Sequence, residues 1–454
     1  MTSSNAKCML PHFIYANQSI LSILYASLFL VVMSTTKRNW EIAGLLMKIV
    51  FCLLVLLLFV LLILSKGRAG WIGLAAGIYF IGIKRFRLPV LWSKKGWTMW
   101  LLFLALVVSF FWIKKESSQG RLLIYKISAN IFTDHWLWGI GYGKYKATYN
   151  LYQANYFSIH SIDSEEAVLA DNTFYAFNDP WQLLIELGLL RFICLACCVV
   201  VLLLHFKTYV IKPDRNHVFY TSASALICLI VASLFSYPFQ VFSIQFFALL
   251  YLVALLRAVE PVKGHVSSAK WLFLFFKFFI KASILFVSSY AIFKIVVMQR
   301  AKEASDLSLA GFKNLALERF GLLSNSAKDG TILFAYAQQL YYVNQLKKAS
   351  VILAKTKNFY INNEVCRLSA FIAQESGDLK RAEGEYMKAV YMVPNRMVNR
   401  YELYRFYLAV GDTTKALIWA ESILHMPVKI PSEETRNIRK IVGRQQSILQ
   451  AHND

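Results

Sequence analysis

The sequence predicts an all-α fold, a polytopic transmembrane helix bundle followed by an α-helical repeat domain, and three observations lead there. The 454 residues are 57% apolar with a mean hydropathy of +0.47, beyond the range of an ordinary globular domain. Apolar runs long enough to cross a bilayer recur up to about residue 297 and then stop. After them an internal repeat with a 34-residue period begins.

Runs near the length needed to cross about 30 Å of hydrocarbon stand at roughly 13–33, 43–65, 69–83, 97–113, 181–204, 218–236, 241–256 and 271–297. The third is short and Gly-rich, Trp71-Ile72-Gly73-Leu74-Ala75-Ala76-Gly77, which suits a tilted or closely packed helix, or one flanked by snorkelling Lys84 and Arg85. Basic residues mark alternate short loops as cytoplasmic: Lys37 and Arg38; Lys84, Arg85, Arg87, Lys94 and Lys95; Lys207, Lys212 and Arg215; Arg257, Lys263 and Lys270. By parity the long segment at about 114–180 is exported, together with both termini. A chain that begins outside without a cleavable leader suggests that upstream helices are missing.

The formal charge of +23 would suit nucleic acid, but the lysines and arginines sit mainly between apolar runs, where they orient helices. Nucleic-acid binding is therefore set aside. The seven cysteines, at 8, 52, 194, 197, 198, 228 and 366, lie almost entirely in hydrophobic segments and have no spacing that suits a zinc site or a disulfide framework.

Two copies of the repeat are in register. Gly377-Asp378, Ala382 and Tyr386 return 34 positions later as Gly411-Asp412, Ala416 and Ala420, and Pro394 is echoed by Pro427. Small residues at a helix crossing, with proline at the repeat end, resemble a tetratricopeptide repeat. Tyr336, Asn344 and Ala349 read as an earlier, worn copy. The expected division is 1–297 for the membrane domain and 300–454 for the repeats. Parity puts the repeats outside the inner membrane.

Three stretches carry residues suited to chemistry. Ser65-Lys66-Gly67-Arg68-Ala69-Gly70-Trp71 joins two spans, and an arginine at that boundary can grip phosphate oxygens bidentately, or simply anchor the topology. Gly120-Arg121-Leu122 precedes Gly139-Ile140-Gly141-Tyr142-Gly143, glycines that make a tight turn or admit a ligand close to backbone. A lone Arg121 is more often a solvated charge. The third stretch, Asp171-Asn172 through Asn178-Asp179-Pro180 to Glu186-Leu187-Gly188, leads from the exported segment into the next span. Asn178 or Asp179 would cap that helix, with Pro180 opening it. Glu186 falls about two turns inside, where a carboxylate is costly unless paired or wet.

In order and spacing these stretches resemble the O-antigen ligase and polymerase family, which includes bacterial O-oligosaccharyltransferases; the likeness covers roughly residues 10–260. A carboxy-terminal repeat domain is similar to what some protein-glycosylating members carry. The resemblance implies transfer of a glycan from an undecaprenyl-pyrophosphate carrier to an acceptor hydroxyl of a lipid, a glycan or a protein, at the outer face of the inner membrane. It implies no cofactor, no nucleotide sugar and no metal. Arg68 and Arg121 match the two arginines that hold the pyrophosphate. Phe177 stands where many members have His before Asn, and Gly67 where a Ser often precedes the arginine. Asp171 and Asp179 are then the nearest candidate bases, ahead of His135 and His160, and Asn178 and Glu186 are expected to contribute to substrate binding.

Two other classes compete. A catalytically decayed membrane scaffold, binding envelope partners through its repeats, would suit Phe177 and the missing upstream helices. A transporter would place interrupted helices in two related halves, and no such symmetry is visible.

Overall fold

The computed structural model describes residues 18–34, 44–85, 115–206, 209–211, 215–261, 267–326 and 329–451. The span expected at 97–113 lies outside them, as do Lys37, Arg38, Arg87, Lys94, Lys95, Lys207, Lys212 and Lys263.

The first described helices are α1 (Gln18–Ser34), α2 (Leu45–Leu64) and α3 (Arg68–Arg85). After a polar segment come α7 (Asp179–Phe206), α8 (Asn216–Ser233), α9 (Phe242–Arg257) and α10 (Ser267–Leu309). Each falls on an expected span. Among the described residues four helices are long and apolar enough to cross a membrane: Leu45–Leu64, Asp179–Val201, Asn216–Ser233 and Phe278–Leu309. α2 is apolar all round and leaves Leu53, Leu56 and Leu57 exposed, as a lipid-facing helix does.

α3 is the closely packed helix its glycines suggested. A Cβ at Gly70 would come within 2.5 Å of the Ser22 carbonyl of α1, and one at Gly73 within 2.6 Å of the Cys228 carbonyl of α8. Small residues thus let three backbones meet, and Ala69, Ile72 and Leu74 fill the remaining contacts. A short antiparallel ribbon, β1 (Tyr209–Ile211) with β2 (Val259–Pro261), ties the end of α7 to the end of α9. It does not change the all-α class.

The described part of the segment at 114–180, residues 115–180, is largely helical, which hydropathy alone does not show. It forms α4 (Lys115–Asp134), α5 (Tyr145–Ile159) and the short α6 (Glu165–Leu169), then an extended stretch to residue 178. Leu123, Ile127 and Ile131 recur every fourth residue on α4 and are buried, a stripe typical of an amphipathic helix. They pack with Tyr145, Tyr149, Tyr156 and Phe157 of α5 and with Ile185 of α7.

α10 is one continuous helix that runs through the expected boundary at 297–300. Its last turns pack Val297 and Ala304 against Phe320 and Leu323 of α11 (Lys313–Ser326). The pairs α12 (Gly330–Tyr342) with α13 (Leu346–Lys357), α14 (Asn363–Glu375) with α15 (Leu379–Met392) and α16 (Met397–Val410) with α17 (Thr413–His425) follow, and α18 (Glu433–Ala451) packs on the last.

The repeat has a physical basis that recurs four times. Gly311, Asn344, Gly377 and Gly411, spaced 33 or 34 residues apart, all have left-handed backbone, with φ of 94°, 60°, 81° and 83°. Five residues after each, Ala316, Ala349, Ala382 and Ala416 are fully buried at the helix crossing. Asp378 and Asp412 cap α15 and α17 by accepting from the Arg381 and Lys415 amides. The copy at Gly311 carries too few matching side chains to stand out in the sequence.

Candidate functional site

The turn between α2 and α3 is tight. Lys66 is left-handed at φ 50°, and the Ser65 hydroxyl donates back to the Leu62 carbonyl at 2.6 Å. A Cβ at Gly67 would lie 2.2 Å from Ser22 Oγ, so a serine has no room there, which accounts for the departure at that position. The turn starts α3 at Arg68, whose Nη1 and Nη2 donate to the hydroxyls of Ser118 and Ser117 on α4 at 3.0 and 3.1 Å.

One helical turn along α4, Arg121 is half-buried. Its Nη1 donates to the Phe235 carbonyl at 2.8 Å, and its guanidinium lies 5.2 Å from the centre of the Phe177 ring. Burial first, and then the nearby Arg68 charge, hold the Arg121 pKa below its ordinary value. Two neighbouring guanidinium groups repel each other, and an anion placed between them removes that penalty. Both line a cleft of about 350 Å³, with Lys66 as a third cation.

Asp171 and Asn172 form the opposite wall of the cleft with Thr173. Asp171 is the one carboxylate among the described residues that line it. Its side chain is exposed and lies 3.8 Å from Arg396 of the repeat region.

The remaining candidates have other surroundings and do not line the cleft. Asn178 caps α7, its Oδ1 accepting from the Trp181 amide at 3.0 Å. Asp179 is buried, and its Oδ2 accepts from the Phe239 amide at 2.8 Å, tying the start of α7 to the turn before α9. Glu186 is also buried; its Oε2 accepts from the Gly143 amide at 2.9 Å and its Oε1 from the Gln182 side chain at 3.1 Å. The Gly139–Gly143 turn thus rests against α7. Gly139 admits the backbone of α7, and Gly141 and Gly143 take the left-handed turn conformation at φ 98° and 74°, so no ligand is needed to explain them. His135 lies beside the Tyr152 hydroxyl, and His160 stacks on Tyr156 with ring centres 4.0 Å apart.

Phe177, at the position where the resembling family has histidine, is left-handed at φ 54° and packs edge-on against Tyr237. It supplies an aromatic face to Arg121 and no base.

Residues 53–196 match the family model for O-antigen ligase. That stretch contains Arg68, Arg121, Asp171, Asn178, Asp179 and Glu186, so all six candidates fall within it. The match supports a membrane glycosyltransferase-like role in glycan transfer. No curated protein matches the chain.

Lys66, Ser117, Ser118 and Gln153 belong to the site but were not among the candidates. Lys66 could have been found from its place beside Arg68. The serines lie three and four residues before Arg121 on one helix face, a spacing that becomes meaningful only once α4 is known to be a helix.

Proposed function

We propose that this chain moves a glycan from an undecaprenyl-pyrophosphate carrier to an acceptor hydroxyl at the periplasmic face of the inner membrane. The observation that carries the reading is the pair Arg68 and Arg121, brought to one cleft just past the end of the apolar helix α2 with Lys66 beside them. A pyrophosphate on a membrane-embedded tail would present its charge at that level. In the transfer, the acceptor oxygen forms a bond to the anomeric carbon while the bond from that carbon to the phosphate oxygen breaks. The electron pair leaves with the pyrophosphate. Donors fixed where that charge grows stabilise the transition state, and loss of either arginine should cost on the order of 3 kcal/mol, about a hundredfold in rate.

The hydroxyl proton needs an acceptor within hydrogen-bond reach. Asp171 fits best, being the exposed carboxylate of the cleft. Asn178, Asp179 and Glu186 act through shape: they fix the start of α7 and the turn that rests on it. We assign the helix pairs from α11 onward to a tetratricopeptide-like domain on the same side as the cleft. Part of its polar surface is taken up by the chain's own segment 162–173.

Phe177 favours a second reading, a decayed scaffold. The test uses purified full-length chain in nanodiscs with an undecaprenyl-pyrophosphate glycan and candidate envelope acceptors. Transfer by wild type that is lost in folded Arg68→Ala and Arg121→Ala supports the transferase. No transfer by wild type across those acceptors favours the scaffold.

A further inference from the structure

One wall of the cleft is an irregular stretch without helix or strand, yet its backbone is held at nearly every residue. Asn395, between α15 and α16, donates from Nδ2 to the carbonyls of Val168 and Ala170 at 2.8 and 2.7 Å. Asn363, at the start of α14, accepts on Oδ1 from Asn172 Nδ2 at 2.7 Å and donates its amide to Asn172 Oδ1 at 3.3 Å. Asn363 is fully buried and is itself held by Asn399 of α16 at 3.0 Å, which in turn donates to the Ala389 carbonyl at 2.9 Å.

Two carboxamides on α5 complete the set. Gln153 donates from Nε2 to the Asp171 carbonyl at 3.1 Å and also to the Met392 carbonyl. Asn150 accepts from the Thr173 amide at 3.0 Å and donates to the Ile361 carbonyl at 2.8 Å. Both are buried, so each bond is made where water cannot replace it.

We infer that the repeat region is a positioning element of the cation-lined cleft, acting through Asn363 and Asn395 on the wall that carries Asp171. The cations stand on α3, α4 and the turn before α3, whereas the wall that carries Asp171 is anchored, besides its ties to α5, to residues some 190 to 230 positions away in sequence. The two walls therefore have different supports. Without the carboxamide ties, residues 170–173, beyond the end of α6, have no secondary structure of their own to hold them in place, and a displacement near 1 Å of a group facing the reacting atoms can cost about a hundredfold in rate. A surface ion pair alone would not give this coupling; mutually satisfied carboxamides, fully buried at Asn363 and partly buried at Asn395, do. The inference rests on the transferase reading for its effect on rate, but not for the coupling itself.

The experiment uses full-length chain in nanodiscs and compares wild type, Asn395→Asp, Asn395→Gln and Asn363→Ala. Asn395→Asp keeps the volume but sets a carboxylate against two carbonyls. Hydrogen exchange is followed at residues 168–173, binding with undecaprenyl pyrophosphate as the probe, and transfer kinetics as kcat and KM. Expected for Asn395→Asp and Asn363→Ala are faster exchange at 168–173, carrier affinity within about twofold of wild type, and a fall in kcat of about tenfold to a hundredfold. Asn395→Gln should recover part of the rate. A purely structural role would lower carrier binding and kcat together as folded protein is lost. Unchanged exchange at 168–173 overturns the inference, and so does faster exchange with wild-type kcat. If wild type transfers nothing, the transferase reading falls, and exchange still decides the coupling.

Discussion

Gly139 and Gly188 lie back to back. A Cβ at Gly188 would come within 2.3 Å of the Gly139 amide nitrogen, and one at Gly139 within 2.4 Å of the Gly188 nitrogen. Gly188 breaks α7 with φ 72° and ψ 169°, and the turn after α4 fits against that break. The Leu189 amide donates to the Trp136 carbonyl at 2.7 Å and the Gly141 amide to the Glu186 carbonyl at 2.9 Å, so the polar groups released by the break are taken up by the turn. This is how a glycine run, a buried carboxylate and a membrane helix come to form one unit.

Gly188→Ala should be among the most damaging single-methyl changes in the chain. Its backbone lies in a region open essentially to glycine alone, and the added methyl would also meet the facing backbone. The expected loss is at least about 2 kcal/mol, read as a lower melting temperature of the detergent-solubilised protein. A melting temperature equal to wild type would show that the turn can shift off the helix without cost.

Arg121→Lys should not be conservative. The guanidinium holds the Phe235 carbonyl with one edge and lies over Phe177 with its face, which leaves another edge for an anion. An ammonium group cannot meet all three in that geometry. Transfer should fall by roughly a hundredfold, with weaker binding of undecaprenyl pyrophosphate. Phe177→Leu, which removes only the aromatic face, should cost about 0.5–1 kcal/mol, or some two- to fivefold. Wild-type rates in Arg121→Lys would show that a point charge suffices there and that the planar fork adds nothing.

What could be read in advance follows from the range of the interactions. Spans depend on local hydropathy and repeats on local spacing, so α7 and the Gly377 and Gly411 copies were legible from neighbouring residues. Asn178 as a cap was legible for the same reason, since residue type and position carry most of the meaning, whereas the meeting of Arg68 and Arg121 in one cleft depends on how α3 and α4 pack. The fold of 115–178 was not, because its ties run to partners such as Asn363 and Ile361, about 190 to 210 positions away. Asp179 and Glu186 look like Asp171 in sequence. Only tertiary contacts show that the first two bind backbone while the third opens on the cleft.

Acid should loosen the repeat region through Glu385. Burial pushes this carboxyl up, but Lys357 at 2.7 Å and Lys388 at 3.2 Å outweigh it and hold the pKa below the ordinary 4.5. A pKa lower in the folded than in the unfolded chain means stabilisation that is complete above the unfolded value and is lost as pH falls through the folded one. Melting temperature measured from neutral pH down past 4.5 should therefore fall more steeply for wild type than for Glu385→Gln. Parallel curves would show that the pair adds nothing.

Arg400 offers a sharper test of how the loop is held. Its side chain is 1% exposed, and it donates to Asp163 at 2.8 Å, Ser422 Oγ at 2.6 Å, the Ile162 carbonyl at 3.0 Å and the Pro394 carbonyl at 3.2 Å. The Asp163 carboxylate is half exposed, so water can replace Arg400 there. The Pro394 carbonyl is buried and has no such replacement, and the Ile162 carbonyl and the Ser422 hydroxyl are partly screened from water. Arg400→Ala should cost about 2–3 kcal/mol and expose the chain near residues 160–164 to protease. Asp163→Asn should change stability by less than about 1 kcal/mol. Equal losses in the two variants would mean that the ion pair, and not the other hydrogen bonds of the guanidinium, joins the loop to the repeats.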